Sequence, residues 1–185
     1  MENKIIAVVG CCGAGKSVAT EQFVNAGFKR IYFGDVTFKE MKKRGLEINP
    51  ENERIVREDL RKSGDLSIYA KLIEPDISEA VKKNNVVLES LYAWSEYKYL
   101  KEKYGDQLEI LAIVTNRKNR IKRLSKRDFR PLTKEEEVLT RDYAQIEKLE
   151  QGGPIAHADY YILNNGSQKA FINKVNKFIN KLLNN

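Results

Sequence analysis

The residues best suited to chemistry form one short segment of the sequence. It reads Gly10-Cys11-Cys12-Gly13-Ala14-Gly15-Lys16-Ser17, a complete G-x-x-x-x-G-K-[S/T] pattern. Glycines let such a loop turn successive backbone N–H groups inward, where they can bind phosphate oxygens. Lys16 would then reach the β- and γ-phosphates of a nucleotide, and the Ser17 hydroxyl would bind Mg²⁺. We therefore predict a site for ATP and Mg²⁺. Its predicted binding residues are Gly10, Gly13, Ala14, Gly15, Lys16, Ser17 and Val18.

A phosphate-binding loop needs a strand before it and a helix after it, so the neighbouring elements decide whether the pattern is functional. Continuous apolar runs predict five strands, which lie at residues 4–10, 30–33, 86–88, 108–114 and 160–163. Helical patterns lie between them. This alternation favours a three-layer α/β fold, in which a parallel five-stranded sheet carries helices on both faces. The loop follows the first strand and opens a helix, whose N-terminus adds partial positive charge.

Local signals predict where several helices begin. Asn49-Pro50 supplies a cap and then a proline at the first helical position, which predicts a helix toward residue 62. The segment Thr133-Lys134-Glu135-Glu136 fits a capping box, with Thr133 as the cap of a helix that runs to about residue 150. In the last segment, apolar residues recur at steps of three or four. This pattern favours a final helix packed on the sheet over a helix on a membrane surface.

The bulk composition is that of an ordinary globular protein. The 185 residues carry 33 Lys and Arg against 26 Asp and Glu, which gives a net charge of +7. Such a balance suits polyphosphate ligands, nucleic acid or an anionic membrane, and it also fits a lysine-rich solvated surface. No block of like charges and no aromatic-basic motif indicates a nucleic-acid partner. No apolar run is long enough for an export signal or a membrane span, so we expect a cytoplasmic protein.

The two cysteines, Cys11 and Cys12, are adjacent and lie inside the loop. They have neither the spacing of zinc ligands nor the number needed for a disulfide framework, so we expect reduced thiols. Two interpretations are open. The cysteines form a redox switch that closes the phosphate site, or they are small residues that fill a tight turn, and the second is favoured.

Beyond the loop, the sequence resembles the adenylate-kinase-like and dephospho-coenzyme A kinase-like P-loop kinases, and an uncharacterised kinase-like family within that group. The similar stretches are residues 15–19, 27–28, 34–35 and 158–167, the last reading ADYYILNNGS. The resemblance covers nearly the whole chain. It implies one domain over residues 1–185, with a helical acceptor-binding insert at about 35–83 and a lid at about 125–135. It also implies that the loop with Asn165 and Gly166 lies beside the adenine of ATP.

The resemblance places the arginines of this lid at the transferred phosphate. Arg120, Arg123 and Arg127 follow at steps of three and four and share one helix face, and Arg130 and Arg141 come next. Phosphoryl transfer spreads negative charge over oxygens, and arginines that swing in can stabilise that charge while excluding water. We expect Arg123, Arg127 and Arg130 to be catalytic and Arg141 to bind the acceptor. The alternative is a solvated basic face, or ion pairs with the glutamates at 135–137.

Four further residues are predicted to bind the acceptor or the metal. Asp35 stands at the acidic position where the similar kinases hold the acceptor. It could orient or deprotonate an acceptor hydroxyl or bind Mg²⁺ through water, or it could be only a helix cap. Glu89 ends the third strand, where P-loop proteins usually place an Asp of the magnesium shell, so Ser17 and Glu89 are the predicted metal residues. Arg57 and Arg61 are four residues apart on one helix face and could clamp an anionic group.

The sequence departs from the similar kinases at the acceptor site. Phe38 stands where adenylate kinases carry an arginine, and residues 89–93 lack the arginine that follows their third strand. Dephospho-coenzyme A kinases usually carry a D-x-D pair, whose first position here is Phe33. The resemblance implies an ATP-dependent phosphotransferase with a small nucleotide-like acceptor, and these departures leave that acceptor open. The alternative is an ATP-binding switch or regulatory ATPase without an acceptor. A guanine switch is disfavoured, because residues 115–118 read TNRK rather than N-K-x-D.

Overall fold

A parallel sheet of five strands forms the centre of the protein. The computed structural model describes residues 2–127 and 132–184. The strands are β1 Ile5–Val9, β2 Lys29–Tyr32, β3 Val86–Glu89, β4 Leu108–Val114 and β5 Tyr160–Leu163. They are ordered β2-β3-β1-β4-β5, with each neighbouring pair parallel. In register, Ile5 pairs with Val86 on one side and with Leu108 on the other. The carboxyl ends of all five strands therefore lie at one edge of the sheet.

Helices connect the strands and cover the sheet. They are α1 Lys16–Asn25, α2 Asp35–Lys43, α3 Pro50–Leu60, α4 Ile68–Val81, α5 Trp94–Tyr104, α6 Arg117–Ser125, α7 Glu135–Tyr143, α8 Gly152–Ala156 and α9 Gln168–Leu183. A short 3₁₀ turn, Gly105–Gln107, precedes β4, and a π-helical turn, Ala144–Lys148, continues α7. The helices α2, α3 and α4 lie between β2 and β3, in the segment that the sequence assigned to an acceptor-binding insert.

The core has two apolar layers, one on each face of the sheet. Alternate residues of β1 supply both layers: Ile5 packs with Leu88 and Leu100 on one face, while Ile6 packs with Phe23 and others on the opposite face. All five residues of β1 are buried. This explains the continuous apolar run in the sequence, since a strand covered on both faces has no solvent side on which polar residues would alternate.

The predicted elements are confirmed with small shifts. The weakest strand prediction, residues 30–33, corresponds to β2 one residue earlier. Asn49 caps α3 as expected, because its Oδ1 accepts a hydrogen bond from the Asn52 backbone N–H at 2.8 Å. The capping box of α7 was placed one residue too early. Lys134 is the cap, and its backbone N–H donates to Glu137 Oε2 at 3.1 Å, so Thr133 lies outside the helix.

The last helix packs on the sheet, as predicted. Its buried residues Phe171, Val175 and Ile179 join the apolar layer beneath α1. Across the described ranges, no helix has the length and apolar character needed to cross a membrane.

Candidate active site

The three glycines of the phosphate-binding loop, which include Gly13 at φ +78°, have backbone conformations that L side chains rarely adopt. Gly10 has φ +144° and Gly15 has φ +107°. A Cβ added to Gly10 would lie 2.5 Å from Ile113 O, and one added to Gly15 would lie 2.5 Å from Asn164 Nδ2. The loop thus passes close to β4 and to the end of β5. Its glycines are required for this approach as well as for an inward-facing set of N–H groups.

The Lys16 side chain folds back over the loop. Its Nζ donates hydrogen bonds to the carbonyl oxygens of Gly10 at 2.8 Å and Cys11 at 3.1 Å. Gln151, buried just before α8, also donates to Gly10 O from Nε2 at 3.3 Å. The Lys16 ammonium lies 5.8 Å from the centre of the Tyr92 ring. The ammonium group is therefore held at the mouth of the loop, where it would contact bound phosphates.

Glu89 links this loop to β2. Its Oε1 accepts a hydrogen bond from Ser17 Oγ at 2.8 Å, and its Oε2 lies 2.6 Å from Arg30 Nη2 in an ion pair. Hydroxyl and carboxylate oxygens are ligands that Mg²⁺ prefers, and kinases usually hold it with one or two carboxylates plus substrate phosphates. In the described ranges, no cluster of three or more His, Cys, Asp or Glu could hold a metal ion. The residues present therefore fit Mg²⁺ that arrives with a nucleotide.

The segment after β3, residues 90–93, contains a strained residue and is hydrogen-bonded to the first turn of α5. Ser90 has φ +71°, a left-handed conformation that costs a non-glycine residue about 1 kcal/mol or more. Buried Glu96 in the first turn of α5 accepts hydrogen bonds from the backbone N–H groups of Tyr92 and Ala93, both at 2.9 Å. Burial raises the pKa of this carboxyl group to about 7. Glu96 thereby positions the backbone of Tyr92, whose ring lies beside Lys16.

The loop opens into a cationic cleft of about 1090 Å³. Among the described residues, its walls carry six cationic side chains against two carboxylates, those of Glu53 and Glu89. The cations are Lys16, Arg30, Arg57, Arg123, Arg127 and Arg141. Of the predicted loop residues, those lining the cleft are Gly13, Gly15, Lys16, Ser17 and Val18. This excess of positive charge in one concave site suits a polyanionic ligand.

Three arginines of the predicted lid and its surroundings face this cleft. Arg123 donates from Nη2 to Asn164 O at 3.0 Å and to Asn164 Oδ1 at 3.2 Å, so it is held against the loop that follows β5. Arg127 and Arg141 also line the cleft. Within residues 2–127 and 132–184, neither of these two guanidiniums makes an ion pair or a side-chain hydrogen bond. Both are thus available to a ligand.

Arg120 has a structural role instead. Its guanidinium is buried and makes two hydrogen bonds to Asp142, with Nη1 to Oδ1 at 2.9 Å and Nη2 to Oδ2 at 2.6 Å. Nη1 also donates to Cys12 O at 3.0 Å. Burial acts to lower the pKa of Arg120, but the hydrogen bonds to Asp142 outweigh it and raise the pKa. The pair ties α6 and α7 to the phosphate-binding loop, and it differs from the expected pairing with the glutamates at 135–137.

Curated relatives of this chain share its whole length. A UPF0200 protein of Thermococcus onnurineus is 31% identical over 182 residues, covering 97% of this chain and 98% of that protein. The chain belongs to the UPF0200 family. A UPF0200 protein of Aeropyrum pernix is 34% identical over 168 residues, covering 88% of this chain and 85% of the relative. The chain also spans 58% of the length of a UPF0200/UPF0201 protein of Archaeoglobus fulgidus, with 30% identity. No family model matches the sequence.

Solved structures identify the fold of this UPF0200 protein as that of P-loop kinases. TT1252 from Thermus thermophilus superposes with a TM-score of 0.67 at 17% identity, covering 98% of this chain and 99% of that one. A shikimate kinase from Bacteroides thetaiotaomicron gives 0.63 at 12% identity, with the same coverage. A dephospho-CoA kinase from Campylobacter jejuni gives 0.57 at 19% identity over 97% of both chains. At these identities the similarity concerns the fold alone.

Several predicted site residues lie away from the cleft lining. Asp35 is exposed at the start of α2 and lines a second, smaller hollow. Arg61 stacks on the Tyr69 ring, with its Cζ 4.2 Å from the ring centre. Asn165 and Gly166 lie beside the cleft. The Oδ1 of Asn165 accepts a hydrogen bond from the backbone N–H of Asn116, and the backbone oxygen of Gly166 lies 3.5 Å from Nη2 of Arg123, which lines the cleft. Arg130 and part of the predicted lid fall outside the described residues.

Sequence reasoning missed other residues that line the site. Arg30 and Tyr32 lie on β2, the strand with the weakest apolar signal, where alternate side chains turn toward the cleft. Gln145 reaches it from the π-helical turn, which no sequence pattern indicated. Only the charge of Arg30 within an apolar strand could have marked it as a candidate.

The cysteines of the loop have ordinary packing roles. Cys12 is buried in a small apolar cluster with Leu124 of α6 and Val138 of α7. Cys11 is half-buried, and burial raises the pKa of its thiol. A raised pKa keeps a thiol protonated and therefore unreactive at neutral pH, which favours the space-filling interpretation.

Proposed function

We propose that this protein is an ATP-dependent phosphotransferase that moves the γ-phosphate of ATP-Mg²⁺ to a small nucleotide-like acceptor. The observation that carries the proposal is a complete phosphate-binding loop that opens into a cleft with six cationic side chains. The P-loop kinase fold supports it, because that fold is the framework of several small-molecule kinases.

The nucleotide would occupy the part of the cleft at the loop. The loop N–H groups and the start of α1 would bind its phosphates, and Lys16 would exchange its bonds to Gly10 and Cys11 for phosphate oxygens. Ser17 and Glu89 would hold Mg²⁺, which supplies charge neutralisation at the phosphates when bound. Asn165 and Gly166 would border the base.

The acceptor would enter between the insert and the loop after β3. Arg57, which lies 3.1 Å from Glu53 in an ion pair, lines this end of the cleft. Arg123 and Arg127 would stabilise the charge of the transferring phosphoryl group, and Arg141 would bind the acceptor. The proposed catalytic residues are Lys16, Asp35, Arg123, Arg127 and Arg130. Asp35 and Arg61 remain proposed acceptor residues of lower rank, because neither lines the cleft.

One observation favours a second candidate, an ATP-binding switch or regulatory ATPase. Phe38, and Tyr92 within residues 89–93, line the cleft at the two places where the resemblance to adenylate kinases would put arginines. Such walls would bind an acceptor phosphate less strongly than the arginines of an adenylate kinase.

Coupled ADP release separates the two candidates. Purified protein with ATP-Mg²⁺ is assayed against nucleoside monophosphates, nucleosides and dephospho-coenzyme A. Shikimate and gluconate are added to the panel because fold neighbours are kinases of those names. Lys16→Ala is the inactive control, and Lys82→Ala, which removes an exposed lysine paired with Glu79, is the matched control. We expect one acceptor to raise turnover at least about a hundredfold over ATP alone. ATP binding without stimulation by any acceptor would favour the switch.

A further inference from the structure

Arg30 occupies an unusual place for an arginine in this site. It lies in the middle of β2, next to β3, and its guanidinium reaches the carboxylate that also contacts Ser17. The side chain of Glu89 is 6% exposed, whereas that of Arg30 is 46% exposed. The carboxylate is therefore fixed within the fold, while the guanidinium extends from it into open cleft. Its Cζ lies 5.4 Å from the centre of the Tyr32 ring, which also faces the cleft.

Each oxygen of Glu89 has a neighbour, although only Oε1 accepts a hydrogen bond, and the contact of buried Oε2 is an ion pair without hydrogen-bond geometry. Oε1 accepts from the Ser17 hydroxyl, and Oε2 faces the Arg30 guanidinium at 2.6 Å. A divalent cation held by Ser17 and Glu89 would need the same carboxylate and would lie next to a positive charge. Two cations that share one carboxylate compete for it, both by occupying its oxygens and by repelling each other.

We propose that Arg30 and Mg²⁺ exchange at Glu89. When Mg²⁺ with a nucleotide takes up Glu89, Arg30 leaves the carboxylate and presents its guanidinium to an anionic group of the acceptor, a phosphate or a carboxylate. This inference rests on the proposed function. It accounts for the two missing acceptor arginines at Phe38 and in residues 89–93, because Arg30 supplies the anion clamp from a strand instead. It also orders binding, since the clamp forms only after the nucleotide is loaded.

The exposed half of Arg30 makes this movement feasible. Because the guanidinium is solvated and carries one charge, a divalent cation bound at the same carboxylate can displace it. The guanidinium then has a planar fork of donors that matches phosphate or carboxylate. Arg57 lines the same cleft and would share such an anion.

The first test measures ADP affinity as a function of free Mg²⁺, with fluorescent ADP or calorimetry. The variants are Arg30→Gln, Glu89→Gln and the double variant, and Arg54→Gln is the control that removes an exposed, paired arginine of α3. Removing the competing cation should lower the Mg²⁺ concentration of half-maximal effect by about fivefold. When Glu89 is already replaced by Gln, adding Arg30→Gln should change this Mg²⁺ concentration by less than about twofold. The control Arg54→Gln should leave it unchanged.

The contrary results are distinct. An unchanged Mg²⁺ requirement in Arg30→Gln, with a normal melting temperature, overturns the exchange while leaving the proposed function intact. If Arg30→Gln lowers the Mg²⁺ requirement about fivefold even when Glu89 is replaced by Gln, the arginine acts by repulsion at a distance and not by exchange at this carboxylate. That result also overturns the inference. Wild-type protein that fails to bind ADP at any Mg²⁺ concentration overturns both the inference and the proposed function.

The second test follows the released guanidinium. Inorganic phosphate is titrated into protein saturated with Mg²⁺-ADP, and its affinity is compared between wild type and Arg30→Gln. We expect wild type to bind phosphate about fivefold more tightly. Equal affinities would overturn the assignment of Arg30 as an acceptor clamp.

Discussion

The buried pair of Arg120 and Asp142 gives the sharpest prediction about stability. Asp142→Ala leaves a buried guanidinium with the Cys12 carbonyl as its remaining partner among the described residues, since both hydrogen bonds to the carboxylate are lost. Breaking a buried pair from one side costs about 3–5 kcal/mol. For a chain of this length, each kcal/mol shifts the melting temperature by roughly 2–4 °C. We therefore expect the melting temperature to fall by about 10 °C, because one carbonyl cannot replace the negative charge of the lost carboxylate.

Urea unfolding followed by circular dichroism measures this cost. The double variant Arg120→Met/Asp142→Leu removes both charges, so it should be more stable than Asp142→Ala by about 2 kcal/mol or more. The exposed pair of Arg54 and Glu58 is the matched control, and Arg54→Ala should cost less than about 0.5 kcal/mol. A loss of less than about 1 kcal/mol in the free energy of unfolding of Asp142→Ala would refute the reasoning. So would a double variant whose loss equals the sum of the losses of the two single variants.

Three further predictions concern single residues. Gly15→Ala should abolish nucleotide binding in a calorimetric titration, because its Cβ would lie 2.5 Å from Asn164 Nδ2, whereas Gly152→Ala, whose Cβ meets no atom within 4 Å, should bind normally. Burial raises the pKa of Glu96 from 4.5 to about 7, so the folded state holds its proton more tightly and stability falls as pH rises between those values. The free energy of unfolding of Glu96→Gln, from thermal unfolding, should therefore equal that of wild type at pH 4.5 and exceed it by up to about 3 kcal/mol at pH 8. The same difference between the two proteins at both pH values would contradict this linkage. Alkylation of Cys11 at pH 7.5 should be at least about tenfold slower in the folded than in the urea-unfolded protein, because its thiol is half-buried with a raised pKa, and equal rates would restore the redox-switch interpretation.

Local sequence patterns predicted much of the fold. Strands covered on both faces leave continuous apolar runs, as in β1 and β4, and the alternation with helices indicates parallel pairing. The phosphate-binding loop could be predicted for the same reason, since its shape depends on glycines at fixed spacing. The cap of α7 was misplaced because Lys134 caps through its backbone, which no preference for side-chain caps would reveal.

The cleft could not be predicted to the same extent, because it depends on which side chains converge across distant elements. Arg120, Arg123 and Arg127 share a helix face in sequence, yet α7 packs on one side and pairs Arg120 with Asp142. The helix α6 thus carries both a structural arginine and Arg123, which lines the cleft, whereas Arg127 lies beyond the end of α6 at Ser125, so the prediction of one shared helix face was wrong for Arg127. Arg30 was missed because a charged residue within a short strand carries no periodic signal.

The order of strands has a consequence for how the protein is made. Ile5 of β1 pairs with Val86 and Leu108, so the central strand finds its neighbours far along the chain. At a synthesis rate of about 5–20 residues per second, roughly 5–20 s separate β1 from β4 on the ribosome. Pairing over such separations makes folding slow, and the apolar segment Ile5–Val9 has no sheet to join in the meantime. The nascent chain is therefore where β1 is most exposed to aggregation and to chaperones. The loop that follows β1 reaches its final shape only after β4 has been synthesised and Ile113 lies beneath Gly10.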